Sequence, residues 1–160
     1  MNTKNHRDLY RKLVPVMIMI SGISSQAFSR QGTQNVQYLG NLNQYPAIGY
    51  NDCWGYVAPD GKEYALLGVR DGTSIIDITD APTLTEVDFV QTDNTTWKDI
   101  KTYRHYAYVV TDGIGRGIQI IDLSTLPDSV YLVGTFGGST FRSHNISIDT
   151  SSGILYAQGG

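Results

Sequence analysis

The amino-acid sequence predicts an all-β fold built from four-stranded repeats. The composition favours strands joined by tight turns, since the 160 residues include 11 Tyr, 17 Gly and many Val, Ile and Thr. Two long segments of the chain also repeat one another, and each contains four short apolar runs separated by turn residues. Hydrophobic residues at 41% and charged residues at 17% are typical of an ordinary globular domain.

The first 29 residues have the layout of a signal peptide. Basic residues up to Lys12 precede the apolar run 13–20, and small residues follow at Ser25 and Ala27. Cleavage is expected near Ala27 or two residues later. A membrane anchor is the alternative, but the apolar run is shorter than the roughly 20 residues of a spanning helix. The sequence therefore predicts a secreted or cell-surface protein with no transmembrane segment after cleavage.

The rest of the chain is acidic. Residues 30–160 contain eight Lys and Arg against 14 Asp and Glu, a net charge of −6. No basic stripe remains to follow a phosphate backbone, which argues against a nucleic-acid partner. Cys53 is the only cysteine, so an intramolecular disulfide is excluded, and we expect this residue to be a small buried hydrophobe.

The repeats are aligned by their third strands. Segment 74–82 matches segment 119–127 at an offset of 45 residues, which places Asp77 over Asp122. Each of these aspartates ends an apolar run, and its side chain is expected to accept the backbone N–H two residues later and hold the turn. Upstream, Trp54 of the first repeat is aligned with Trp97 of the second, at an offset of 43 residues. The sequence Asp-Gly at 71–72 predicts a hairpin between the second and third strands.

A period in the forties with four strands per unit is typical of a β-propeller blade. The chain holds about two and a half such blades. The segment 36–40 resembles the fourth strand of the second repeat, and it is expected to close a blade that is absent from this chain. The predicted strands of the second blade are 97–102, 106–111, 118–123 and 130–136. The predicted segments are a closing strand at 36–42, blade one at 51–90, blade two at 95–136 and partial blade three at 143–160.

Four phrases of the sequence, at 51–56, 72–79, 97–103 and 143–146, resemble LVIVD-type propeller repeats, and more narrowly the choice-of-anchor B family. That resemblance covers most of residues 36–160. It implies an exported protein with a longer repeat domain and a C-terminal surface-attachment signal. Because the sequence stops inside a repeat, the resemblance also implies an N-terminal fragment.

Candidate binding residues follow from equivalence between repeats, because the first strand of each propeller blade lines the central channel. The polar and aromatic residues on these strands are expected to converge at the mouth of the channel and bind a small polar ligand, a cation or a peptide. In the alternative interpretation, the tryptophans pack between blades and the polar side chains bond to backbone. The candidates are Asp52, Trp54, Trp97, Asp99, His144 and Asn145.

No catalytic residue is predicted, because the sequence contains no serine-hydrolase elbow and no metal-ligand spacing. A binding scaffold for an extracellular protein, a glycan or a small ligand is therefore favoured. The alternative is an extracytoplasmic hydrolase or oxidoreductase with a metal at the channel mouth. No cofactor is expected, and a divalent cation held by carboxylate and carbonyl oxygens is the weaker possibility.

Overall fold

The computed structural model describes residues 35–113 and 117–159, apart from the side chain of Ser139, so the expected signal peptide lies outside the described residues. The described residues form strands and one 3-10 turn at Gly138–Thr140, and none of them belongs to a helix able to cross a membrane. The strands are β1 (Tyr50–Val57), β2 (Glu63–Val69), β3 (Gly72–Asp77), β4 (Thr85–Gln91), β5 (Lys98–Tyr103), β6 (Tyr106–Thr111), β7 (Ile118–Asp122), β8 (Tyr131–Phe136), β9 (Asn145–Asp149) and β10 (Ile154–Gln158).

The strands form two four-stranded sheets and one hairpin. The first sheet has the order β1-β2-β3-β4, the second has the order β5-β6-β7-β8, and β9 pairs with β10. Every pairing is antiparallel, and the prediction of an all-β fold is confirmed. The described residues do not form a closed ring. The strand bounds predicted for the second repeat agree with β5 to β8 within one residue at each end.

The first strands of the two repeats align differently from the prediction. Trp54 pairs with Leu66 in the first sheet, whereas Lys101 pairs with Tyr108 at the equivalent place in the second sheet. Trp97 precedes β5 and belongs to no ladder. The predicted alignment of the two tryptophans is therefore wrong, because the connection from the first to the second strand is longer in the first repeat. Tyr56 pairs with Tyr64 there, whereas Tyr103 pairs with Tyr106 in the second repeat.

The main hydrophobic core lies between the two sheets. Each buried aliphatic side chain contributes about 1.5–3 kcal/mol when it leaves water. A smaller cluster of Val110, Ile118 and Ile146 joins the second sheet to the β9–β10 hairpin. Fully buried members of the main core are Tyr64, Leu66 and Ile75 from the first sheet and Ile100, Ala107 and Ile121 from the second. Each repeat therefore buries one face against the repeat that follows it.

The turn aspartates behave as predicted. Asp77 Oδ1 accepts a hydrogen bond from Thr79 N at 2.9 Å, and Asp122 Oδ1 accepts one from Ser124 N at 2.8 Å. Hydrogen bonds from these two residues lower the pKa of both carboxyl groups. Asp149 makes the same turn in the hairpin, where bonds from the two following serine hydroxyls lower its pKa to about 2. The same aspartate turn therefore ends the third strand of both complete repeats and the first strand of the partial repeat.

The predicted hairpin between β2 and β3 is confirmed, but its glycine has another role. Val69 pairs with Gly72, so the two-residue loop is Arg70 and Asp71. Gly72 already belongs to β3, where a Cβ atom would lie 2.1 Å from the Phe89 ring. Glycine is needed there because the ring approaches the backbone closely.

Cys53 is exposed, so the expectation of a buried hydrophobe is wrong. Its neighbours Asp52 and Trp54 bond to residues of the second sheet. Because side chains alternate along a strand, Cys53 points to the other face of β1.

Tyr45, which precedes β1, packs on β4 of the first sheet. Tyr45 Oη donates to Glu86 Oε2 at 2.5 Å, and its ring packs 5.5 Å from the Phe89 ring centroid. Burial and the Glu86 carboxylate raise the pKa of Tyr45 to about 12. Residues 36–42 are assigned to no strand, so the closing strand stays a prediction.

The far end of the second sheet and the hairpin leave apolar side chains in water. On β8 the exposed fractions are 59% for Val133 and 65% for Phe136, and on β10 they are 50% for Ile154 and 51% for Tyr156. Among the described residues, β10 has no strand partner on its outer edge. An uncharged, unpaired edge next to an apolar face promotes association between chains.

We expect the protein to self-associate in a concentration-dependent way, and the double substitution Ile154→Lys/Tyr156→Lys to shift it towards monomer. Two charges on β10 oppose edge pairing. Sedimentation velocity under reducing conditions measures the association, with Thr150→Lys in the adjacent turn as the matched control. A wild-type monomer with a sharp, reversible, concentration-independent melt would contradict this expectation.

Candidate functional site

A pocket of about 350 Å³ lies where the first strands of the three repeats begin. We call it the junction pocket. It contains five of the six predicted binding residues, and Trp54 is the exception. The lining residues are Asn51, Asp52, Trp97, Lys98, Asp99, His144 and Asn145. Residues distant in sequence therefore meet at one place, as the repeat equivalence predicts.

Two aspartates of the pocket reach across to the next repeat. Asp52 Oδ2 accepts a hydrogen bond from Ile100 N at 2.7 Å, and Asp99 Oδ2 accepts one from Ile146 N at 2.6 Å. The two contacts are equivalent, since each joins the first strand of one repeat to the first strand of the next. Asp99 Oδ1 also pairs with the Lys101 ammonium group. These charged acceptors satisfy backbone donors that the sheets leave free.

The two carboxylates are close enough to influence each other. Burial raises the pKa of Asp52, and the charge of neighbouring Asp99 adds to the rise. The hydrogen bond from Ile100 N and the positive charge of Lys101 act in the opposite direction. We call the Asp52 and Asp99 carboxylates the floor of the pocket. This floor is only partly anionic, because a lysine and two backbone N–H groups offset the carboxylate charge.

Trp54 does not line the pocket and instead joins two repeats. Its Nε1 donates to Thr102 Oγ1 at 3.0 Å, and Lys101 Nζ lies 4.4 Å from the ring centroid. These contacts correspond to the alternative interpretation, in which the tryptophan packs between repeats. Trp54 therefore contributes to the junction rather than to the pocket.

Trp97 forms one wall of the pocket and is held by its neighbours. Its side chain and backbone are together 54% exposed. The His144 ring packs against the indole with the centroids 5.1 Å apart. Thr95 Oγ1 accepts from Trp97 N at 3.3 Å and donates to Asp112 Oδ1 at 2.9 Å. Asp112 Oδ2 in turn lies 3.9 Å from His144 Nδ1. The indole is thus an ordered aromatic surface that faces solvent.

Lys98 is a pocket residue that the sequence did not single out. The residue is buried, and its Nζ donates to Arg70 O at 3.0 Å. Burial lowers the pKa of Lys98 to about 8, although the nearby carboxylates of Asp71, Asp112 and Asp93 act to raise it. The only indication in the sequence that Lys98 belongs to the pocket is its position after an aromatic residue in a polar stretch. Only the folded chain shows that its ammonium group is withdrawn from water.

The two asparagines of the pocket differ in their hydrogen bonds. Asn51 Oδ1 accepts from Asp52 N at 2.8 Å, and its Nδ2 donates to Thr96 O at 3.0 Å. A Cβ atom on Gly68 would lie 2.0 Å from Asn51 Oδ1, so glycine makes room for this side chain. Asn145 is exposed and lines the pocket, and its carboxamide makes no hydrogen bond with any residue that the structure describes.

No group of three His, Cys, Asp or Glu side chains placed to hold a metal ion occurs within residues 35–113 and 117–159. Asp52 and Asp99 each use one carboxylate oxygen to accept a hydrogen bond from a backbone N–H. The preference for no cofactor stays a prediction, as does the weaker possibility of a divalent cation.

We expect Asp99→Ala to lower the free energy of unfolding by about 2–3 kcal/mol. The substitution leaves Ile146 N and Lys101 without their charged partner, and buried hydrogen bonds to charged groups contribute about 1.5–3 kcal/mol each. Urea denaturation measures the change. Asp128→Ala, at an exposed carboxylate, is the matched control and should alter stability little. Equal effects of the two substitutions would show that Asp99 does not join the repeats.

We expect wild-type stability to rise relative to Lys98→Met as the pH increases from about 8 towards 10. Lys98 has a folded-state pKa of about 8 against an ordinary 10.5, so in this window the unfolded chain binds more protons. The rise should be on the order of 1–2 kcal/mol, because each pKa unit corresponds to about 1.4 kcal/mol. Lys62→Met is the control and should leave the pH dependence unchanged. A pH dependence that survives in Lys98→Met would contradict the assignment.

Comparisons with known proteins do not indicate a function for this chain. No protein-family model, no curated protein and no solved structure matches the chain. The resemblance to the choice-of-anchor B family therefore remains an expectation from the sequence. The junction pocket is the feature from which a function can be argued.

Proposed function

We propose that this chain is an exported β-propeller repeat protein that binds a small extracellular ligand in the junction pocket. The observation that carries the proposal is the convergence of side chains from three successive repeats on one pocket. The signal-peptide layout of residues 1–29 supports export, to the extracellular medium or the cell surface.

The sheet arrangement supports the propeller. Both complete repeats have the same strand order, with each strand paired to the next along the chain. The first strand of each repeat contacts the first strand of the next, as β1 does with β5 and β5 with β9. Propeller blades are four-stranded sheets arranged around a central channel, with their faces packed on each other. In this proposal the junction pocket is part of the channel mouth.

The pocket has the size and composition of a binding site. Its volume of about 350 Å³ falls within the roughly 300–1,000 Å³ of typical ligand sites. An exposed indole provides apolar surface, while asparagine, aspartate and lysine provide hydrogen bonds. Backbone contacts hold Asp52, Asp99 and Asn51 in place, so the ligand meets groups that are already ordered.

An enzyme is the second candidate, favoured by one observation. Two groups of the pocket, Lys98 and Asp52, have perturbed pKa values, and such groups concentrate at catalytic sites. Burial is the largest cause of both shifts, and both groups have structural roles, since Lys98 donates to Arg70 O and Asp52 accepts from Ile100 N. Binding without chemistry is therefore the better-supported proposal.

We expect small polar molecules to bind the pocket and shift its amide resonances together. A library of uncharged polyols, amines, carboxylates and phosphates is titrated into the ¹⁵N-labelled full chain. Ligands should move the signals of Asn51, Lys98 and Asn145 in a saturable way, and the double substitution Trp97→Ala/Asn145→Ala should abolish the shifts. Asp60→Ala, in the turn after β1, is the matched control.

A library that moves no pocket resonance would overturn the proposed function. Calcium and zinc are titrated in parallel, because the enzyme alternative places a metal at the channel mouth. Stoichiometric metal binding that is lost in Asp99→Ala/His144→Ala would favour that alternative, whereas organic ligands that bind without metal would support the recognition module.

A further inference from the structure

We propose that the ligand of the junction pocket is a neutral sugar unit of a glycan, with one face of its ring stacked on the Trp97 indole. The inference rests on the proposed function and specifies the ligand class. It depends on an exposed, ordered aromatic ring, on a free amide beside it, and on the balance of charge around both.

The Trp97 ring suits the apolar face of a pyranose. Trp97 is 54% exposed although it is a large aromatic residue in an ordered part of the chain. His144 packs on the ring and Thr95 bonds to the backbone, so little freedom is lost when a ligand stacks there. The C–H groups on one face of a sugar ring carry partial positive charge and complement the negative face of an indole.

The rim of the pocket suits hydroxyl groups. The Asn145 carboxamide offers two N–H donors and a carbonyl acceptor, and none of these groups is bonded within the described residues. The Asp52 carboxylate lines the same pocket and accepts from Ile100 N through Oδ2. A sugar hydroxyl both donates and accepts, so neighbouring hydroxyls can satisfy an amide and a carboxylate together.

The charges around the pocket disfavour charged ligands. An anionic ligand would meet Asp52 and Asp99 on the floor, and Asp112 behind His144. A cationic ligand would find the Asp99 carboxylate already paired with Lys101, and Lys98, whose buried ammonium group donates to Arg70 O, also lines the pocket. A ligand of either charge therefore meets at least one residue of like charge in the pocket lining. A neutral, hydroxyl-rich ligand avoids both penalties.

The test follows the two indole N–H signals of the ¹⁵N-labelled full chain, from Trp54 and Trp97. Methyl glycosides of glucose, galactose, mannose and N-acetylglucosamine are titrated to millimolar concentrations, with glucuronic acid and glucosamine as charged analogues. We expect at least one neutral glycoside to move the Trp97 signal saturably, while the Trp54 signal stays in place. The charged analogues should bind more weakly than their neutral counterparts.

Trp97→Ala should weaken the binding by about tenfold or more, which is the effect of losing about 1.4 kcal/mol of stacking. Asn145→Ala should weaken it by a smaller factor. Tyr156→Ala removes an aromatic residue of similar exposure, 51%, outside the pocket and should leave the affinity unchanged. Preserved amide dispersion in each variant shows that the fold is intact.

Three outcomes would overturn the sugar assignment. They are the absence of any shift with the neutral glycosides, stronger binding of either charged analogue, and an affinity that survives Trp97→Ala. If amines, carboxylates or phosphates shift the pocket resonances while glycosides do not, the proposed binding function stands and the sugar assignment is wrong. If no compound class shifts these resonances, both proposals fail together.

Discussion

The packing of successive repeats depends on a carboxylate that crosses from one first strand to the backbone of the next. Antiparallel pairing satisfies the backbone within each sheet, but the first strands meet side by side without a ladder between them. Asp52 and Asp99 supply the missing acceptors for Ile100 N and Ile146 N. The apolar core between the sheets provides most of the driving force, and the aspartates determine the register at which the repeats meet.

Much of the fold could be predicted from the sequence because the repeat is periodic on two scales. Alternation within a strand and a 45-residue period located the four strands of each sheet, and aspartates at their ends located the turns. The alignment of Trp54 with Trp97 failed for a specific reason. The connection between the first two strands is longer in the first repeat, where Tyr56 pairs with Tyr64, than in the second, where Tyr103 pairs with Tyr106. Matching one tryptophan to the other does not detect that difference.

The candidate site was predicted in part. Repeat equivalence located Asp52, Asp99 and Asn145, because polar residues at the start of an inner strand stand out against apolar neighbours. Lys98 was missed, since burial of its ammonium group depends on a linker that folds back over Arg70. Distances between side chains of different repeats, which determine charge balance and pKa shifts, cannot be read from one repeat alone.

Asp52 and Asp99 serve two purposes at once, because the same carboxylates join repeats and line the pocket. A substitution that alters ligand chemistry at either position also loosens a junction, so these positions have little freedom to vary. Trp97 and Asn145 are exposed and hold no neighbouring repeat through their side-chain polar groups. Evolution of new ligand preferences in such a protein should therefore proceed through the aromatic wall and the rim, while the acidic floor stays constant.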